Sequence, residues 1–235
     1  MLKRVGVICL TSLMLMILGP ISILACACCA EPGMYFLSAG KPSSYSLDVI
    51  REIKFSKPSD LYMTEAGFDM IKGLDPVKPE YESDEWTATS NFDLAASFTG
   101  KLWTFNLKTP KGKSAALVLP MPAQMVTYKV DIHDQEDRPN GPILYKEFRF
   151  KGTLSSASGF ARTGFVRGTT YFLVFQGRGN GCDNASDFTH WRLEINGPRS
   201  DYAFFGKLDP KSAKKQDIEQ SRMSAGYDLD RKALK

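Results

Sequence analysis

From Tyr45 onward, apolar residues recur at every second position in short stretches separated by Gly, Pro, Asn and Asp. In residues 91–98 the apolar positions are Phe92, Leu94, Ala96 and Phe98, and in residues 102–107 they are Trp103, Phe105 and Leu107. Residues 125–132 place Val126, Tyr128, Val130 and Ile132 on one side, while Thr127, Lys129 and Asp131 face away. Phe148, Phe150 and Leu154 continue the pattern across Gly152. Residues 170–175 are continuously apolar, as expected for a strand covered on both faces. Residues 190–195 return to alternation, with Trp191, Leu193 and Ile195 inward and His190, Arg192 and Glu194 outward. Period two at this spacing, with Asp137–Gly141 as a strong turn signal, predicts an all-β protein. The expected form is an antiparallel β-sandwich, jelly-roll-like, over residues 26–206.

Three regions depart from the pattern. Residues 64–74 can form one or two helical turns with Phe68, Ile71 and Leu74 on the apolar side, and the acidic, Pro-containing residues 75–86 read as a loop. The tail, 207–235, has few large apolar residues and many charges, and reads as a solvated helix or a disordered extension. Asp209 and Pro210 would serve as cap and first position of such a helix. At the other end, Lys3 and Arg4 precede an apolar run from Val5 to Leu18, and small residues follow. This is the layout of a bacterial-type signal peptide over residues 1–25, so the rest of the chain is expected to be exported.

Ile23-Leu24-Ala25-Cys26 resembles the lipobox of bacterial lipoproteins. The resemblance implies removal of the leader before Cys26 and transfer of a diacylglyceryl group to its sulfur, which would anchor the protein at a membrane surface. The alternative is ordinary cleavage after Ala27 or Ala30, which leaves no lipid. An exported compartment is oxidising, so Cys28, Cys29 and Cys182 are disulfide candidates. A bridge between the adjacent Cys28 and Cys29 is strained, and the expected bond ties one of them to Cys182. The competing use of these thiolates is a soft-metal site. Against it, no second cysteine cluster supplies four ligands, and the histidines number only two, His133 and His190.

Without the leader the formal charge falls from +4 to +2, which gives no reason to expect nucleic acid as a partner. No nucleophile elbow, phosphate loop, dinucleotide fingerprint or zinc-protease motif is present, and no cofactor is expected. The most site-like stretch is residues 176–191, which carries Arg178, Asp183, Asn184, Asp187, His190 and Trp191 beside a buried strand. Asp183, Asn184 and Asp187 offer oxygen ligands for calcium, although their spacing fits no standard loop. The plainer reading is a disulfide-tethered connection whose Asp and Asn side chains satisfy their own backbone.

The function expected from these features is a binding or structural role at the cell envelope, without enzymatic activity, for an exported, lipid-anchored protein. A saccharide or another envelope component is the expected partner, because exposed aromatics on β-scaffolds stack on sugar rings. One alternative is an envelope hydrolase using carboxylates or His190 in a cleft. The other is a thiol-based metal-binding protein.

Overall fold

The computed structural model describes residues 28–63, 87–134 and 141–209. The expected signal peptide and Cys26, the helix at 64–74, the loop at 75–86, most of the 137–141 turn and nearly all of the tail lie outside the described residues. Among the described residues eleven strands form one sheet in the order β1-β6-β7-β9-β10-β11-β2-β3-β4-β5-β8, and every pair of neighbours is antiparallel. The strands are β1 (Tyr35–Gly40), β2 (Phe55–Met63), β3 (Thr87–Thr99), β4 (Leu102–Lys108), β5 (Ser114–Pro120) and β6 (Met125–Val130). They continue as β7 (Leu144–Thr153), β8 (Ser156–Gly159), β9 (Thr170–Gly179), β10 (Phe188–Gly197) and β11 (Ser200–Leu208). The last strand runs two residues past the expected domain end at 206.

β3 belongs to two halves of the sheet. Its first part pairs with β2, up to Phe92 opposite Ser59, and its second part, from Asp93 onward, pairs with β4. The sheet turns back on itself there, and the inner side chains of the two halves meet. Trp103 of β4 lies 4.9 Å between centroids from Phe150 of β7, and Phe105 lies 5.8 Å from Trp191 of β10. Phe55, at the start of β2, packs edge-on against Phe105, Phe175 and Trp191. These rings sit in one continuous buried cluster, with the partly buried Phe55 packed against it. Its aromatic members supply large apolar area and prefer such tilted and edge-to-face contacts.

A single α-helix among the described residues, α1 (Ser44–Glu52), interrupts the β pattern just where alternation was expected to begin. Ser43 caps it by accepting a hydrogen bond from the Ser46 amide, and Val49, Ile50 and Ile53 turn inward. Those three positions share one helical face, so a 3.6-residue period holds here rather than a period of two. No described helix is long and apolar enough to cross a membrane.

The alternation read for β3, β4, β7 and β10 matches the observed burial. Phe92, Leu94, Trp103, Phe105, Leu107, Phe148, Phe150, Trp191, Leu193 and Ile195 are all buried. Strand β9 buries Tyr171, Leu173 and Phe175 inward and Val174 on the opposite face, where it lies in register between Arg149 and Arg192. Strand β6 contradicts the apolar-in expectation. Lys129 and Asp131 are buried, whereas Val126, Tyr128 and Val130 lie on the outer face, partly exposed, and Ile132 is exposed.

Trp103 touches both Phe98 and Phe150 at the junction of the halves. Truncation of Trp103→Ala is expected to remove about 3–5 kcal/mol of stability, seen as a lower urea midpoint, because a large cavity opens where the halves join.

Candidate functional site

The inverted strand leads to a buried ionic cluster. Cys28 and Cys182 are joined by a disulfide spanning 154 positions, and Cys29 takes no part in it. The bond lands on the loop between β9 and β10, whose Gly181 amide also donates to the Cys28 carbonyl at 2.7 Å. This loop folds back over the inner face of the sheet, and two glycines let it do so. A Cβ at Gly177 would sit 1.8 Å from the Asp187 carbonyl oxygen, and one at Gly179 would sit 2.2 Å from the Asp187 carboxylate. Over that bare backbone Ala185–Asp187 makes a short 3-10 turn, with Asn184 and Asp187 capping each other reciprocally.

Into this turn point two lysines from neighbouring strands. Lys129 of β6 stands opposite Lys146 of β7 on the inner face. Like charges directly across an antiparallel pair repel, so both require counter-charge. Lys146 is fully buried and places Nζ 2.6 Å from Asp187 Oδ2 and 3.7 Å from Asp183 Oδ1, while also donating to the Cys182 carbonyl. Lys129 Nζ lies 3.0 Å from the same Asp183 oxygen and donates to the Gly181 carbonyl at 2.7 Å. Asp183 Oδ1 has no partner that meets hydrogen-bond geometry, yet two ammoniums lie within 4 Å of it, so its charge is balanced electrostatically. Burial pushes the Lys146 ammonium below its ordinary value, against the pull of Asp187 and Asp183. The same burial pushes the Asp187 carboxyl up, against the pull of Lys146. Two cations and two anions thus hold one another out of water, an arrangement tolerated only with all members present.

A second inward anion fixes the other end of β6. Asp131 accepts hydrogen bonds from the amides of Gly33, at 2.8 Å, and His133, at 2.9 Å. Its own amide donates to the Met34 carbonyl. These contacts stitch the segment entering β1 to the segment leaving β6. The Gly33 and His133 amides hold the Asp131 carboxyl below the usual carboxylate range.

Beside the cluster, the inner side of β1 and the start of α1 enclose a groove of about 320 Å³. Phe36 and Tyr45 form its walls, 42% and 51% exposed, and Lys129 and Asp183 contribute to its floor. Lys129 Nζ lies 6.0 Å from the Phe36 ring, and the Tyr45 hydroxyl donates to the Asp183 carbonyl. Ser38, Ser43 and Ser46 line the same space. A larger depression, about 600 Å³, lies on the other half of the sheet, but small and linear side chains line it and no aromatic does.

Of the residues expected at the site, Asp183, Asn184 and Asp187 come together in the cluster. Asp183 and Asp187 already hold ammonium groups, which calcium would have to displace. Arg178 points to the outer face and forms a two-pronged pair with Asp134 at 2.6 and 2.5 Å. His190 is exposed, its ring 2.9 Å from the Thr189 hydroxyl. Trp191 lies in the core against Phe55 and Phe105, which corrects its placement among ligand-facing residues. The disulfide consumes two of the three sulfurs considered for a metal. Lys129, Lys146, Phe36 and Tyr45 were missed. The signal available was polar: a lysine at alternate phase in each of two adjacent strands, facing a loop with two aspartates. No protein family, curated protein or solved structure matches the chain.

Lys146→Met leaves Asp187 buried without its cation and is expected to cost about 3–5 kcal/mol in chemical denaturation. The double variant Lys146→Met/Asp187→Asn keeps the cap acceptor, removes the orphan charge and recovers more than half of that loss, a coupling visible in a double-mutant cycle. Asp131 gives a pH signature. Its carboxyl is depressed in the folded state, so its stabilisation is present above about pH 4, the unfolded carboxylate range, and is lost as pH falls through the lower folded value. Asp131→Asn is expected to flatten that acid limb in a series of urea midpoints against pH.

Proposed function

We propose that this chain is an exported, lipid-anchored envelope protein whose two-layered β-sandwich body binds a saccharide in the groove between β1 and α1. The groove carries the reading: two exposed aromatic walls stand over a floor that includes the Lys129–Asp183 ion pair, with Lys129 held in place by the Gly181 carbonyl. Sugar rings present one apolar face and a rim of hydroxyls. Phe36 and Tyr45 suit the face, and Lys129, Asp183 and the three serines suit the rim. Such a division of labour, apolar walls with a few placed polar groups, is what small-ligand sites share.

Export is supported by the leader pattern and by the Cys28–Cys182 bond, which belongs in an oxidising compartment. The bond also fixes the chain to the body two residues after Cys26, so a lipid there would hold the fold close to the membrane. The sandwich reading rests on the ring contacts between the two halves of the sheet. A binding role is favoured over hydrolysis because both carboxylates of the cluster are engaged by lysine ammoniums, so neither is free to face a sugar as the acid or the nucleophile that two-carboxylate hydrolysis needs.

The test uses the exported chain with chitohexaose, maltohexaose and cellohexaose as probes in titration calorimetry. At least one is expected to bind, and Tyr45→Ala to weaken it by about tenfold, the loss of one stacked ring. Cys26→Ala is expected to move the protein from the membrane fraction to the soluble fraction. No heat with any probe would overturn the saccharide reading, and an unchanged fractionation would overturn the anchor.

A further inference from the structure

Where the last turn of α1 meets the two halves of the sheet lies a cavity of about 360 Å³, which shares no lining residue with the groove beside β1. It is more enclosed than that groove, and its volume falls in the range of small-ligand pockets. Phe98 of β3 and Trp103 of β4 line it from one half, Phe55 of β2 and Phe175 of β9 from the other, and Ile53 from the C-cap of α1. Phe55 and Phe98 pack against the core yet are only partly buried, so the core leaves part of each ring to this space. Walls of rings and aliphatic carbon offer water few partners.

The rim has a different character. Arg51, Lys54 and Lys57 border the cavity, and no acidic residue lines it. Arg51 also pairs with Asp48 at 2.6 Å, and Lys54 donates to the Arg51 carbonyl at 3.4 Å, so these two serve the carbonyl end of α1 as well. Lys57 has no helix end to serve. It shares the phase of Phe55, Ser59 and Leu61 along β2, the phase that buries Ser59 and Leu61. A lysine therefore stands on the core side of a strand, at the mouth of an apolar cavity. A wholly apolar ligand would leave these cations unused, and a sugar would set its hydroxyls against bare rings. We propose that the cavity binds a fatty acid, its alkyl chain between Phe55, Phe98 and Trp103 and its carboxylate among Lys57, Lys54 and Arg51. The site stands on its own walls and is independent of the saccharide groove.

The experiment titrates the exported chain carrying Cys26→Ala, which leaves no acyl chain of its own to compete, with hexanoate, octanoate, decanoate and dodecanoate. Each is kept below its critical micelle concentration, and binding is read by calorimetry. Affinity is expected to rise by about tenfold for every two methylenes buried, and to level off at the length that fills the cavity. Decyltrimethylammonium, which brings a cation to a cationic rim, should bind at least about tenfold more weakly than decanoate. Ala96, in phase with Phe98, also lines the cavity. Ala96→Leu fills the space and should weaken decanoate by at least about tenfold without lowering the urea midpoint. Lys54→Gln/Lys57→Gln changes two exposed positions, keeps the fold, and should remove most of the preference for decanoate over decyltrimethylammonium. No binding at any chain length, affinity that ignores chain length, or equal affinity for the two head groups would overturn the proposal. Decanoate binding that survives both variants unchanged would overturn it too.

Discussion

Lys146 is a charged amine with no exposed surface, and most of what distinguishes this fold follows from how its charge is met. Taking an ammonium out of water costs several kcal/mol even after relaxation. The return comes from Asp187 at 2.6 Å, Asp183 at 3.7 Å and the Cys182 carbonyl. All three belong to the β9–β10 loop, so the loop must lie over the inner face of the sheet. That path needs the bare backbone of Gly177 and Gly179, and the disulfide to Cys28 draws the incoming chain onto the same spot.

The cluster also sets the phase of β6. A strand's side chains alternate faces, so a slip of one residue exchanges every one of them. The apolar set Val126, Tyr128, Val130 and Ile132 is the more hydrophobic, and burial of apolar area alone would turn it inward. It would then carry Lys129 and Asp131 outward, leaving Asp183 with one cation fewer and the Gly33 amide without its acceptor. Each such loss is comparable to the gain from burying one aliphatic side chain. The observed phase keeps these buried charges paired and leaves the apolar set on the outer face, partly or fully exposed. The outer face of β1 and β6 is apolar as a consequence, with Tyr35 edge-on to Tyr128 and the Arg149 guanidinium 4.8 Å over the Tyr128 ring.

Three kinds of surface meet at this corner of the molecule. The inner side of β1 walls the groove, its outer side continues the apolar face, and among the described residues its far edge pairs with no strand. A single uncharged strand, placed between a disulfide-held entry and the start of α1, gives the protein three different surfaces within six residues.

Period-two patterning was enough to read five of the eleven described strands, β3, β4, β6, β7 and β10, and a continuous apolar run marked β9; together they gave the all-β class, because all but β6 bury the expected apolar positions against one another. β6 was found as a strand, but with its faces exchanged. Strands β1, β2, β5, β8 and β11 and the helix α1 were not singled out. Phe36 and Leu37 sit on opposite faces of an edge, so β1 shows no polar alternation, and α1 buries only Val49 and Ile50, with Ile53 at its C-cap. The disulfide was legible as one of two alternatives, since oxidation state and adjacency exclude most pairings. What decided the rest was three-dimensional: which loop crosses which strand, and therefore which lysine finds which aspartate. Local sequence records how apolar each position is, whereas the free energy of a buried charge depends on partners far apart along the chain.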